Sequence, residues 1–410
     1  MKRISILGSI ALLSVSGCAI EEVVTAEETV LVVAEAPPEE SMLLDIGIIQ
    51  FDAGIPKNND PADTRIYDDI RAAESNYLAY HLKSTLQGSG HWGAVRVVPS
   101  RQAFTDVIIN GEIEESDGEF VTLKITVTDA RGQRWYQQEY STQTGVSSYS
   151  QNRDRRQDPY QKVFNDIAND LRSYVAELPA KSIEQVQQVS ELRFFADMVP
   201  DAYGDHLLTD DDGMTSAARL PAENDPAVAR LRQIRERDRL VVDTLNEHYA
   251  NFYYGIAIPY HSWRKTAREE AVNYRQVKRS ATMQALMGAV VLAGSLAVDT
   301  DSGGKQSRQI NRSLQNIGIA QGLETIFAGF SRRSEATMHL ESIKELAESF
   351  GAEAAPMVVT VEGQTRRLTG TAAAQYESWR RLLKEIYEAE TGFVETEGVS
   401  APSRLPEPSG

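Results

Sequence analysis

Cysteine is almost absent from this chain: Cys18 is the only one in 410 residues. A single thiol excludes any disulfide within the chain, so cohesion has to come from packing. Histidine is scarce as well. The six, at 81, 91, 206, 248, 261 and 339, form no HExxH and no pair at metal-ligand spacing backed by a third ligand, so no metal site is expected. Positive charge is in deficit, with 42 Lys and Arg against 59 Asp and Glu for a net −17. That balance disfavours phosphate backbones and anionic membrane surfaces, and no nucleic-acid partner is expected. Catalytic signatures are missing too. Ser302-Gly303-Gly304-Lys305 has SxxK spacing but no KTG or SDN follows. Asp299 and Gln306 spoil the same stretch as a phosphate loop, and Ile310 stands where a calcium loop needs its bidentate Glu. These residues supply no enzyme chemistry and no cofactor site.

Apolar residues make up 41% of the chain, enough for real cores, and the length accommodates two or three domains. Long apolar runs are few. The first, Ile4 to Val15, follows Lys2 and Arg3 and has the form of a secretory signal peptide. It ends in Leu13-Ser14-Val15-Ser16-Gly17-Cys18, which resembles a bacterial lipobox. That resemblance implies removal of residues 1–17 and covalent lipid on Cys18 as the first mature residue. Ala19 follows where similar lipoproteins retained in the inner membrane carry Asp, so the implied location is the periplasmic face of the outer membrane. Residues 18–42, with Pro37-Pro38 and no trusted periodicity, are expected to be a lipidated flexible tether. Fully extended, it would reach on the order of 70 Å at ~3.3 Å per residue.

Residues 43–180 spell an α/β sandwich. Leu43 to Ala53 is a near-continuous apolar run of strand length. Asp63 offers a cap, and Ile66, Ile70, Ala73, Tyr77, Leu78, Leu82 and Leu86 recur at helical spacing until Gly88-Ser89-Gly90 stops them. A short strand at Val95 to Val98 precedes two strands around Val107 to Ile113 and Val121 to Val127, joined at Ser116-Asp117-Gly118. Trp135 to Tyr140 follows. Pro159 then opens a helix with Val163, Phe164, Ile167, Leu171, Tyr174 and Val175 on one face. The predicted order is βαβββα.

The segments IGIIQFDAG, LKSTLQGSGHWGAVRVVPS, DVIINGEI, VTLKITVTDARGQRWYQQEYS and VFNDIANDLRSYV resemble a periplasmic domain shared by envelope lipoproteins. Its members include the TolB N-terminal region, the curli-secretion lipoprotein and a lipoprotein that activates a penicillin-binding protein. The resemblance covers residues 43–178 and implies a binding or assembly module with envelope proteins as partners. Pore-forming members build long alternating membrane hairpins. Here Ser141 to Asp158 is too short and polar for strands of ~9–11 residues facing lipid, which disfavours a secretion pore.

Residues 181–350 read as a helical domain. Ile183, Val186, Val189, Leu192 and Phe195 mark one helix, and Ala227, Leu231, Ile234, Val241 and Leu245 another. Arg230, Arg232, Arg235, Arg237 and Arg239 fall on several sides of that second helix and read as a solvated surface. The second apolar run, Ala281 to Val298, carries alanine at 281, 285, 289, 293 and 297. That smooth ridge, with Gly318 and Gly322 on the returning helix, suggests a hairpin over 262–350 zipped by small residues. The same ridge would serve as a contact between copies in a homo-oligomer, or insert into a membrane. Residues 351–391 form a β-hairpin with its turn at Glu362-Gly363, then a helix capped by Thr371, with Tyr376, Trp379, Leu382, Leu383 and Tyr387 inward. This order resembles small envelope modules of the BON type. Residues 392–410 read as a disordered tail.

The fold class expected is therefore α+β: an N-terminal α/β sandwich, a helical region with a long small-residue hairpin, and a C-terminal β-hairpin plus helix. The function expected is that of a non-enzymatic binding or assembly factor for envelope proteins, held at the outer membrane through Cys18. A regulator of a cell-wall synthase or hydrolase and a component of a secretion or transport complex are the alternatives.

Overall fold

The computed structural model describes residues 28–59, 64, 66–100, 104–150, 157–222, 224–296, 334–352, 356–361 and 364–391. Signal peptide, Cys18, Asp63, Ala297, Gly318, Gly322, the turn at Glu362-Gly363 and the tail 392–410 lie outside the described residues. The chain is mixed α+β, with a five-stranded sheet near its start, a long helical region, and a C-terminal β-hairpin plus helix.

The sheet is built as the apolar spacing predicts. Strand β1 (Ile46–Ile49) lies between β2 (Val95–Val98) and β3 (Val107–Ser116), parallel to both. β4 (Phe120–Asp129) and β5 (Arg134–Gln143) extend it antiparallel, for an order β2-β1-β3-β4-β5. A helix, α1 (Asp68–Ser89), connects β1 to β2, and α2 (Gln161–Ala176) follows β5. The strict alternation in β4 is realised. Val121, Leu123, Ile125 and Val127 are buried under α1 and α2, while Thr122, Lys124, Thr126 and Thr128 face the other way.

One expectation changes. β1 is shorter than the apolar run, because the backbone turns to other partners beyond it: Phe51 N donates to Ser75 O of α1 (3.1 Å), and Leu44 O accepts from Gly93 N in the loop before β2 (3.0 Å). The cores also run across the expected boundary at 180, Ile183 and Val186 packing with the sheet core that holds Ile167 and Leu171. Helix α3 (Ala180–Met198) crosses to the second sheet face, where Phe194, Val97, Val98 and Tyr376 share one core. Helix α5, which follows it in space, runs from Pro226 to Leu296; a single helical turn at Pro200–Tyr203 (α4) and the small hairpin β6 (Leu207–Thr209) and β7 (Thr215–Ala217) lie between.

Helix α5 spans 71 residues, about 107 Å at ~1.5 Å per residue. Its first turns pack Leu231, Ile234 and Val242 with α3 and with the C-terminal helix α7 (Ala372–Thr391). It then passes the outer edge of β2. Beyond that, Phe252, Ile256, Tyr260 and Trp263 join the core on the α1 side of the sheet. Helix α6 (Ser334–Ala352) contributes Ile343 to the same core, and the hairpin β8 (Met357–Val361) and β9 (Gln364–Leu368) joins the other. A sandwich of sheet and two helices would leave one side of α1 wet. Here α1 is covered on both sides, which explains why Glu74, Asn76, Tyr77, Tyr80 and His81 are buried along with its apolar stripe.

Part of the expected tether is docked. Asn169 on α2 donates to Val30 O (3.0 Å) and accepts from Val32 N (2.9 Å), Asn165 donates to Thr29 O (2.7 Å), and Ala34 N donates to Ser89 O (2.8 Å). Residues 29–34 are thus a strap on the domain rather than a free linker, because side-chain amides satisfy the backbone groups that a neighbouring strand would satisfy. Thr371 caps α7 as expected, its Oγ1 accepting from Ala374 N at 3.2 Å.

Candidate functional site

Three places collect polar side chains in numbers that packing alone does not require. The first fastens α5 to the α/β layer. Arg264 and Asp158 face each other in a bidentate pair, Nη1 to Oδ1 and Nη2 to Oδ2 both 2.8 Å, with side chains 1% and 5% exposed. Arg264 sits among the rings of Tyr77, Tyr160 and Tyr260, the last 4.2 Å from its guanidinium carbon. Asp158 also accepts from Tyr77 Oη (2.9 Å) and Tyr160 N (2.8 Å). Burial works against its charged form, but the Arg264 guanidinium overcomes that and holds the carboxyl well below the usual carboxylate range. Nearby Glu74 accepts from Ser116 Oγ (2.7 Å) and Tyr260 Oη (2.8 Å); burial pushes its carboxyl up despite Arg71.

The hydrogen bonds beside this pair have a direction that chemistry fixes. Thr29 O can only accept, so Asn165 Nδ2 donates to it and Asn165 Oδ1 accepts from Gln161 Nε2 at 2.9 Å. Gln161 Oε1, 2.8 Å from His81 Nε2, then accepts the imidazole proton, and His81 Nδ1 receives the hydroxyl of Tyr253 at 2.7 Å. Burial lowers the His81 pKa, which keeps the ring in that neutral form. A chain of bonds therefore runs from the N-terminal strap through α2 and α1 to α5. The side-chain polar atoms named in it are all hydrogen-bonded within the chain.

The second place lies at the N-terminal ends of the parallel strands. Arg239 Nη2 donates to Asp45 Oδ2 (2.9 Å), Arg96 holds Asp243 in a bidentate pair, and Arg235 donates to Ser190 Oγ and Phe104 O. Asp238 accepts from Tyr376 Oη and Trp379 Nε1, and lies 3.5 Å from Arg380, whose guanidinium stacks on Phe104 and Phe194. Phe104 has φ +47°, the left-handed region rarely adopted by an aromatic residue. Arg96, Arg235 and Arg239 line a small cavity here; Arg96 and Arg239 are paired with carboxylates, whereas Arg235 is held by a hydroxyl and a carbonyl. The cluster cements α3, α5 and α7 to the strands. The solvated-face reading holds for Arg230, Arg232 and Arg237, which lie at the surface paired with Glu390, Glu191 and Glu390, and is corrected for Arg235, which is buried, and for Arg239, which reaches Asp45.

The third place is the half of the second sheet face that no helix covers. α3, α5 and α7 cover it over β2, β1 and Ile108 at the start of β3. Over the rest of β3 and over β4 and β5 the face is polar: Asn110 and Glu112, then Thr122, Lys124, Thr126 and Thr128, then Gln137 and Glu139. Lys124 Nζ lies 3.1 Å from Glu112 and 4.0 Å from Glu114. Shallow depressions around Lys124 mark this surface. Its outer boundary is β5.

Among the site residues expected from sequence, Ala281, Ala285, Ala289 and Ala293 fall on the last turns of α5. Among the described residues no helix is long and apolar enough to cross a membrane, and no group of three His, Cys, Asp or Glu could hold a metal. Alternating polar residues in β4 were a signal for the open face. Nothing in the sequence marked Asp158 or Arg264 as a pair, since 106 positions separate them. No family model, curated protein or solved structure matches the chain.

Proposed function

We propose that this chain is a lipid-anchored binding module of the bacterial envelope that takes its protein partners on the uncovered half of the central sheet. The observation that carries this reading is the unequal covering of one sheet face. Three helices close its first half with apolar side chains, while its second half presents threonines, Lys124, Asn110 and paired glutamates. A flat, polar, rigidly backed surface suits recognition of another protein. The resemblance of the βαβββα segments to periplasmic lipoprotein domains supports the same reading, as does the lipobox-like stretch ending at Cys18.

The anchor and the strap together set the reach. With Thr29 held by Asn165, it stands eleven residue steps from Cys18, or on the order of 36 Å at ~3.3 Å each. The binding surface then works close to the membrane rather than far from it. Blocking lipoprotein processing, or Cys18→Ala, is expected to release the chain from membranes or leave its precursor unprocessed. Unchanged fractionation with unchanged mass overturns the anchor.

A further inference from the structure

The two edges of the central sheet are finished differently. β2 is four residues long, and its outer edge is plugged by one side chain. Asn246 Oδ1 accepts from Val97 N at 2.9 Å, and its Nδ2 donates to Val97 O at 3.1 Å. β5 is ten residues long, and among the described residues no strand and no side-chain amide pairs with its outer edge. Unpaired strand edges are normally shortened, covered, or interrupted by proline or lysine, because their free backbone groups template pairing with another chain. β5, RWYQQEYSTQ, has neither proline nor lysine, and one irregularity, the extra residue at Trp135.

The charges on β5 identify what would pair there. On the open face Arg134 stands opposite Thr128, Gln137 opposite Thr126 and Glu139 opposite Lys124. Consider two β5 strands laid antiparallel with Gln137 against Gln137. Tyr136 then meets Gln138, and with the bulged Trp135 skipped, Glu139 of each copy meets Arg134 of the other on the same face. Shifting the centre to Gln138 sets Gln137 against Glu139 and forms no ion pair. Centring on Glu139 opposes two carboxylates, which is unfavourable. One register is therefore both face-matched and charge-matched, and it is symmetric, as a two-fold contact between identical chains requires.

We propose that two copies of this chain pair through β5 in that register, joining two five-stranded sheets into one of ten with the open polar halves side by side. This rests on the reading of the chain as a binding module and supplies one partner of that module, a second copy. Pairing also doubles the surface offered to further partners, and it brings two membrane anchors to one particle.

The test is cross-linking of the full-length chain in cells with Gln137→Cys. Directly opposed residues place their Cβ atoms about 4.5–5.5 Å apart, within reach of a disulfide or a short bismaleimide. The unsubstituted chain controls for Cys18, and Leu208→Cys, exposed on β6, controls for collision. Gln137→Cys is expected to give a dimer of the chain that neither control gives. Arg134→Glu or Glu139→Arg should lower that dimer about tenfold, and the double swap Arg134→Glu with Glu139→Arg should restore it to within about twofold. Cross-linking of the Gln137→Cys chain to a different protein overturns the second copy while leaving the binding module intact. No cross-link to any protein, or a dimer indifferent to both charge changes, overturns the pairing altogether. A charge-sensitive dimer in a chain whose fractionation ignores Cys18→Ala keeps the pairing and removes the anchor.

Discussion

Replacing Arg264 with Met tests how α5 is held to the sheet. Methionine keeps the aliphatic stem among Tyr77, Tyr160 and Tyr260 but removes both guanidinium bonds to Asp158. The carboxylate is left buried, with Tyr77 Oη and Tyr160 N as its remaining donors. Breaking one side of a buried ion pair costs about 3–5 kcal/mol, and both side chains here are nearly inaccessible. The loss should appear as a lower denaturant midpoint followed by tryptophan fluorescence, since Trp263 is the neighbour of Arg264 on α5. Asp158→Asn combined with Arg264→Met should recover half or more of it, because no buried charge remains uncompensated.

The pH dependence supplies the sign. In the native chain Arg264 depresses the Asp158 pKa, so the stability from this carboxylate is present above its unfolded value near ~3.9 and is lost as pH falls through the lower folded value. Without Arg264, burial dominates and raises that pKa. The variant then gains relative to the native chain as pH falls from 7 towards 4, and the gap between them narrows. A loss below about 1 kcal/mol, or a gap that widens on acidification, refutes this account of the pair.

Three further perturbations probe separate joints. Gly118 has φ +85°, and a Cβ there would lie 2.2 Å from Arg264 O and 2.7 Å from Arg268 N, so Gly118→Ala should cost about 2–3 kcal/mol in chemical denaturation. Asn246→Ala leaves the buried Val97 N–H and C=O unpaired, for a loss of about 1–3 kcal/mol in the same assay, accompanied by faster amide exchange in β2. His81 has its pKa lowered by burial, so the unfolded chain takes up a proton first and stability declines as pH drops below about 6.5; His81→Gln should flatten that part of a melting-temperature profile.

The sheet was legible from residue spacing because each strand and helix carries its own period and its own stop. Leu123, Ile125 and Val127 announce a half-buried strand, and Gly88 to Gly90 ends α1 where its left-handed Gly90 does. The docking of α5 was not legible. Its apolar residues fit any helix, and what fixes its position is a set of polar contacts between residues far apart: Tyr253 with His81, Tyr260 with Glu74, Arg264 with Asp158, Arg275 with Asp117 and Glu119. Such pairs carry no periodic signal. The polar and aromatic residues on the outer side of α1 were the available hint, since a helix with Glu74, Tyr77, Tyr80 and His81 on one side and leucines on the other has two faces to satisfy. The strap at 29–34 escaped notice for the opposite reason: its partners are the backbone, and Asn165 and Asn169 look like ordinary surface residues of an amphipathic helix.

The claim that the open half of the sheet is a protein-binding surface meets its most direct test in living cells. A photo-reactive residue placed at Lys124, in the middle of that face, is compared with one at Leu208, which is 61% exposed on the small hairpin. Adducts are then identified by mass spectrometry. The account predicts discrete adducts with envelope proteins at Lys124 and none above background at Leu208; equal yields at the two positions, or no adduct at Lys124, would contradict it.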